Sequence, residues 1–280
     1  MRIGFIGTGN MGGAILKGYA NSSASDGNEI LIHNKLSEHN SIMAEAMKLS
    51  GFANTKIRIC NDNEDLAAQS DIIILGVKPN SVDDVLREIA PAAGKIIVSM
   101  AAGTSIASME GFLNEGAAGS GDTAKIIRIM PNTPAQVGEA MTAMCRNANV
   151  SNEDFALAKT IFDSIGKAED VSEDLIDCVI GVSGASPAYT FMYLEALAKA
   201  AVSNGMAPDK ARVFACQAVI GAAKLALESK ESLEQLRINV CSPGGTTIEA
   251  VKKLQANGFM DDVAEAFQAA VDRSKEMTAQ

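Results

Sequence analysis

The stretch that most constrains this chain lies at its start, where Arg2–Ile6 reads as a short apolar strand and Gly7, Gly9 and Gly12 follow at GxGxxG spacing. Residues 11–19 then carry the apolar spacing of a helix. A strand, a tight turn and a helix start suit a dinucleotide, because a phosphate reaches backbone N–H groups only where no Cβ blocks it. Gly7 allows the turn, Gly9 the approach and Gly12 close packing of helix on strand. The pyrophosphate then sits at the helix N-terminus, where unpaired N–H groups and the positive end of the helix dipole favour an anion without any lysine. Gly7, Thr8, Gly9, Asn10, Met11 and Gly12 form this candidate cofactor loop; FAD and S-adenosylmethionine sites share its look.

A chain of 280 residues accommodates two ordinary domains, and its 47% hydrophobic and 21% charged residues are globular values. No apolar run reaches the length of a membrane helix in this reading, so the chain is expected to be soluble, without a membrane partner. With the nucleotide fingerprint starting at residue 3, no signal or transit peptide is expected. Cys60, Cys145, Cys178, Cys216 and Cys241 are scattered and never CxxC, which suits a reducing cytoplasm and no metal site. A net charge of −10 argues against a nucleic-acid partner. It also obliges an anionic cofactor to rely on local dipoles and a few lysines.

After a polar loop at 21–28, residues 29–33 read as a second strand, followed by Asn34 and Lys35. An acidic residue at that turn would bond both ribose hydroxyls and repel a 2′-phosphate. None is present, so NADPH is favoured, with Asn34 bonding a phosphate oxygen and Lys35 supplying charge; NADH is the alternative. Both residues could instead cap a helix at 37–49. A third strand is expected at 57–60, with Asn63 at a helix start, and 71–77 reads as a strand buried on both faces, stopping at Lys78 and Pro79. In an open α/β sheet, residues 76–79 then face the cofactor. A helix at 81–89, a strand at 95–100 and the small residues Ala101, Ala102 and Gly103 repeat the pattern. Another strand at 125–130 ends in Pro131, Asn132, Thr133 and Pro134, a loop stiffened by two prolines. The Gly/Ser-rich loop at 116–122 has no assigned role.

The expected architecture is an α/β Rossmann-like domain over 1–166 and an all-α domain over 167–280. A helix from 152 to 165 and a short strand around 168–171 mark the transition, and helices are expected at 173–182, 187–203, 208–229, 233–239, 247–257 and 261–277. The helix at 208–229 is apolar nearly all round, and a helical half of this size has little interior to bury it. A homodimer through this half is expected, with an oligomer of dimers as a further alternative.

Residues 240–249 hold the second turn of interest: Ser242, Pro243, Gly244, Gly245, Thr246 and Thr247 lead into a helix. The glycines leave consecutive N–H groups exposed, an anion nest suited to a substrate carboxylate, with a hydroxyl from Ser242, Thr246 or Thr247 beside it. Ordinary helix capping is the competing reading, and Ser183 to Pro187 pose the same question. Alcohol oxidation usually needs a histidine or lysine base. Here His33 and His39 lie near the adenosine end, and Lys199 on an apolar helix more readily reaches the surface. Reduction of a protonated C=N bond asks for less.

These residues resemble the pyrroline-5-carboxylate reductases over essentially the whole chain: IGFIGTGNMGGAI at the start, GVKP at 76–79, AAGTSI at 101–106, MPNTPA at 130–135, EDLID at 173–177, SGASPAY at 183–189 and SPGGTTI at 242–248. The resemblance implies a Rossmann-like domain, a helical dimerisation domain, and NAD(P)H-dependent reduction of 1-pyrroline-5-carboxylate to proline. It places the substrate between the nicotinamide and the loop at 242–247, close to the subunit interface. By match, Thr247 bonds the ring nitrogen and the Gly244, Gly245, Thr246 turn holds the carboxylate. Glu173 matches an acidic family residue, and with Thr247 and Ser242 completes the candidate catalytic set. Asn34, Asn63, Val77, Lys78 and Ala102 match cofactor contacts, flanked by Pro79 and Ala101, and Asn239 matches the polar residue before the SPGG loop and joins that set. The family's SGSGPAY differs here at Ala185 and Ser186; if the glycine supplies a positive φ, Ser186 strains that turn. A β-hydroxyacid dehydrogenase, another imine reductase and a non-catalytic NAD(P)-binding regulator are the alternatives.

Overall fold

The computed structural model describes all residues except 37, 41–42, 44–55, 91–93, 117–123 and 279–280. The helix expected at 37–49 and the loop expected at 116–122 lie largely outside the described residues. Two compact units emerge, one of Met1–Gly184 with Ala270–Gln280, the other of Ala185–Ala269.

The first unit is an eight-stranded sheet in the order β3-β2-β1-β4-β5-β6-β7-β8. Its strands are β1 (Arg2–Ile6), β2 (Glu29–His33), β3 (Lys56–Ile59), β4 (Ile72–Leu75), β5 (Ile96–Ser99), β6 (Lys125–Met130), β7 (Ala140–Arg146) and β8 (Gly166–Asp170). Every pairing is parallel except β6 with β7. The central strands are isoleucine runs because both faces are covered. Ile72 and Ile74 join a core with Ile15, Leu16 and Phe162 on one face, whereas Ile73 and Leu75 join Leu86, Met109 and Leu113 on the other. The helices supplying those layers are α1 (Asn10–Ala20), α2 (Asn63–Gln69), α3 (Val82–Glu88), α4 (Ile106–Gly116) and α5 (Asn152–Asp163). Strand order reverses between β1 and β4, so the loops after these two strands flank the crevice where a doubly wound sheet takes its ligand.

Two elements have no counterpart in the sequence reading, α4 and β7. β7 turns back antiparallel after the proline-stiffened loop, and Asn132 fastens that turn: its Oδ1 accepts from the Met141 N–H at 2.9 Å. β8 pairs with β7, and the segment after it, including α6 (Ile176–Val179), stays with the sheet. The unit boundary therefore falls after Gly184, not at the expected 166/167.

The second unit is helical: α7 (Ser186–Ser203), α8 (Pro208–Glu228), α9 (Leu233–Asn239), α10 (Thr246–Ala256) and most of α11 (Phe259–Thr278). The last turns of α11 belong to the first unit, where Ser274 Oγ donates to Asp177 Oδ1. The helical stretch Glu173–Ser203 contains an 18-residue window with a mean hydropathy of 1.2, long and apolar enough to cross a membrane by length and composition. This corrects the expectation that no run has that length; interspersed Ser and Gly residues mask it in a run-by-run reading. Ser186 sits in the first turn of α7 and Ala185 before it has φ −90°, so neither needs the left-handed backbone that would make their side chains a strain.

Candidate active site

The turn after β1 has the geometry its glycines require. Gly7 has a φ of +85°, and a Cβ there would lie 2.9 Å from the Gly76 carbonyl carbon and from Val77 Cγ1. A Cβ on Gly12 or on Gly76 would run into the Gly7 carbonyl oxygen, so three glycines make one close crossing of the loops after β1 and β4. Gly9 differs, having no heavy atom within 4 Å of where its Cβ would stand. It caps α1 without any side-chain bond to the first-turn N–H groups, and no acidic residue occupies that turn. The loop thus presents open donors, positive dipole and bare backbone, which fits a pyrophosphate. A groove of about 890 Å³ begins at Thr8, Gly9 and Asn10 and runs along α1 past Lys17 to Gln136; the loops after β4 and β5 do not line it.

Asn34, expected to bond a phosphate, is engaged inside the protein. Its Oδ1 accepts the Thr8 N–H at 2.7 Å, and its Nδ2 donates to Thr8 Oγ1 at 2.8 Å and to Asn40 Oδ1 at 3.0 Å. With three bonds made by a buried amide, its side chain has no donor left for a ligand. Lys35 is exposed and remains the cation at that turn. Met11 is half-buried in the first turn of α1.

The other cofactor candidates stand at strand ends as expected. Asn63 opens α2, where Asp62 caps the helix. Its Nδ2 donates to Glu88 Oε2 at 2.6 Å, while its buried Oδ1 has no partner. Val77 is half-buried, Lys78 and Pro79 are exposed, and Ala101 and Ala102 follow β5. Gly103, at φ +76°, then passes so close to the end of α11 that a Cβ would lie 3.0 Å from the Met277 carbonyl oxygen.

Glu173 is likewise committed. Its Oε1 receives Arg128 Nη1 at 2.8 Å and the Ile106 N–H at 2.8 Å, so it neutralises a buried guanidinium and caps the start of α4. These two bonds place Glu173 as a link between β6 and the start of α4. Burial, reinforced by the Glu173 charge, pushes the Cys145 thiol on the neighbouring strand up to about 12. Arg128 escaped the sequence reading although its signal is visible, a cation between Ile127 and Ile129 in the apolar run of β6.

In the helical unit, Ser242 to Gly245 form a turn closed by the Gly245 N–H donating to the Ser242 carbonyl at 3.0 Å, with Gly244 at φ +68°. Proline then glycine at the two central positions is the type II pattern. Gly245 is the N-cap of α10 and makes no side-chain bond to it, so the first-turn N–H groups are left open. Side-chain capping from Gly245 is absent, and Thr246 and Thr247, the first two residues of α10, are both exposed together with Ser242. Asn239 ends α9, and its amide is held on both sides, donating to Glu231 Oε2 at 2.8 Å and accepting from Gln235 Nε2 at 2.8 Å. These bonds hold it at the root of that turn and use one of its two Nδ2 hydrogens. Lys199 pairs with Glu195 at 2.6 Å on an exposed helix face, and this hydrogen bond holds the Glu195 carboxyl below the usual range. Lys199 is therefore a surface ion-pair partner, as the commoner outcome for such a lysine has it.

Residues 2–103 match the family model described as NADP oxidoreductase, coenzyme F420-dependent, and residues 173–277 match that for pyrroline-5-carboxylate reductase dimerisation. The pyrroline-5-carboxylate reductase of Escherichia coli is 40% identical over 99% of this chain and 98% of its own. Among solved structures, that of a pyrroline-5-carboxylate reductase from Coxiella burnetii has a TM-score of 0.84 at 32% identity, covering 99% of this chain and 98% of that one. The Plasmodium falciparum pyrroline carboxylate reductase with NADP bound has a TM-score of 0.82 at 31% identity, with 99% and 98% covered. On its motifs, its fold and these full-length matches, the chain belongs to the pyrroline-5-carboxylate reductase family.

Proposed function

We propose that the chain reduces 1-pyrroline-5-carboxylate to L-proline, with NADPH as the reductant, the last step of proline formation. The observation that carries this reading is the open N-terminus of α10 behind the Ser242 to Gly245 turn, an anion nest with a threonine hydroxyl at its lip. In the reading, the nest N–H groups of Gly244, Gly245 and Thr246 hold the substrate carboxylate, and the Thr247 hydroxyl bonds the ring nitrogen, with Ser242 beside it. When bound, NADPH would supply a hydride to the imine carbon of the substrate, whose nitrogen Thr247 positions. The nitrogen ends with the proton of the iminium it entered as, so no strong base is needed, in keeping with the committed states of Lys199 and Glu173. Loss of NADPH absorbance on adding the cyclic imine tests the reaction; no loss with a protein that binds NADPH would reject it.

The helical unit supports a homodimer. Phe191, Met192, Val213, Phe214 and Leu227 on α7 and α8 are each more than half exposed in the single chain. So much apolar surface on two long helices calls for a protein cover, and the match to a dimerisation family over 173–277 supports a second copy as that cover. An assembly of dimers extends the same reading. Five free cysteines agree with a reducing cytoplasm, which cell fractionation tests.

A further inference from the structure

The buried trio Thr8, Asn34 and Asn40 is used by no step of the proposed reaction. The three side chains are only 8%, 6% and 6% exposed, a place where polar groups persist only if their hydrogen bonds are made. They are made. Thr8 N–H can only donate, so the atom facing it at 2.7 Å is the Asn34 oxygen, which fixes the orientation of the amide. The Asn34 nitrogen then donates one hydrogen to Thr8 Oγ1 and the other to Asn40 Oδ1. Asn40 returns a bond from its own nitrogen to the Asn34 carbonyl at 3.2 Å.

Two consequences follow for the glycine turn. The Thr8 N–H, one of the donors that a GxGxxG loop could offer a phosphate, is spent on Asn34, leaving that task to the open first turn of α1. The Thr8 hydroxyl accepts from Asn34, so its hydrogen points away from the trio and is available to an incoming phosphate oxygen. The geometry points to Asn34 and Asn40 as positioning residues that lock the pyrophosphate loop and set Thr8 as a hydroxyl donor, while Lys35 alone at this turn reads the 2′-phosphate. The inference rests on the reading of the chain as an NAD(P)H enzyme. It departs from the expectation drawn from the sequence, in which Asn34 bonded a phosphate oxygen while Lys35 supplied charge.

The two roles separate cleanly, because the pyrophosphate is common to both cofactors and the 2′-phosphate is not. Dissociation constants for NADPH and NADH are measured by calorimetry on the full-length protein, beside KM and kcat for both. Asn40→Ala is expected to weaken both cofactors by the same factor, about five- to tenfold for a lost hydrogen-bonded brace. Its kcat at saturating NADPH should be retained, which a general loss of folded protein would not allow. Lys35→Ala is expected to weaken NADPH only. If Asn40→Ala fails to fold, Thr8→Val, which removes only the hydroxyl, carries the same expectation of equal loss. Weakening of NADPH alone by Asn40→Ala or Thr8→Val would overturn the inference, as would affinities within twofold of the unaltered protein. Binding of neither cofactor by the unaltered protein would overturn the dinucleotide reading itself, and this assignment with it.

Discussion

Arg128 Nη1 stands 2.8 Å from Glu173 Oε1, joining the middle of β6 to the segment that follows β8. The arginine side chain is 5% exposed and its Nε has no partner, so Glu173 supplies the charge that lets a cation remain buried on an interior strand. The same oxygen receives the Ile106 N–H at 2.8 Å, tying α4 into the junction.

Glu173→Ala should therefore cost stability before it costs chemistry. Removing one partner of a buried pair leaves the other charge uncompensated, a loss of about 3 kcal/mol. Urea denaturation should show the midpoint fall, and Glu173→Gln, which keeps an acceptor for the Ile106 N–H, should lose less. A Glu173→Ala protein of unchanged midpoint but abolished turnover would instead give the carboxylate a catalytic role.

Cys145 lies in the same neighbourhood and adds a pH dependence. Its folded thiol ionises only near 12, against an ordinary value of 9.0, mainly because it is buried. Between those values the unfolded chain releases the proton and the folded one does not, so stability is complete below pH 9 and falls as pH rises towards 12. The slope is about 1.4 kcal/mol per pH unit for one thiol. Cys145→Ala should remove that component from the alkaline denaturation profile, whatever its cost at neutral pH.

Two glycines of the first turn should separate by what they disturb. Gly9 faces open space, so Gly9→Ala should leave the thermal midpoint nearly unchanged while NADPH binding weakens, since the new Cβ projects where the phosphate approaches. Gly7→Ala needs a strained backbone at φ +85° and meets Gly76, so it should lower the midpoint as well. Calorimetry on both variants, with and without NADPH, distinguishes them.

The parts legible in the sequence were those with a local physical signature. Strand β1 and its glycines, the isoleucine run of β4, and the Pro243, Gly244 pair each announce a conformation within a few residues. What escaped depends on distant partners. β7 runs back along β6 with Asn132 holding Met141 across the turn, and its sequence alternates too weakly to announce a strand. Asn34 stands where a ribose-binding residue belongs, and only the presence of Thr8 and Asn40 around its amide reveals that it is spent. The commitment of Glu173 is invisible without Arg128, 45 residues away in the chain.

Thr247→Ala should lower kcat by about tenfold to a hundredfold, the worth of one hydrogen bond of about 1.5–3 kcal/mol to a charged nitrogen in the transition state. NADPH affinity should hardly change, because Thr247 contributes to the nest unit and not to the glycine loop. Steady-state kinetics with a parallel binding titration checks both, and equal losses in turnover and NADPH affinity would count against the assigned role. Thr247→Ser, which keeps the hydroxyl, should recover most of the rate.

The apolar surface of α8 sets the last prediction. Phe214 is 66% exposed in the single chain although Ala211 and Ala215, within a turn of it on the same helix, are buried, so its ring lies off the face that packs within its own chain. If a second copy covers it, burying its ring contributes about 2–3 kcal/mol per subunit. A carboxylate in its place must be desolvated to enter the same contact, which reverses the sign of that contribution. Phe214→Asp should then sediment as a monomer at micromolar concentration where the unaltered protein sediments as a dimer, with far-ultraviolet circular dichroism unchanged because the residue supports no contact within its own chain's core. An unaltered protein that is itself monomeric under those conditions would remove the dimer from the account and leave the exposed face without an occupant.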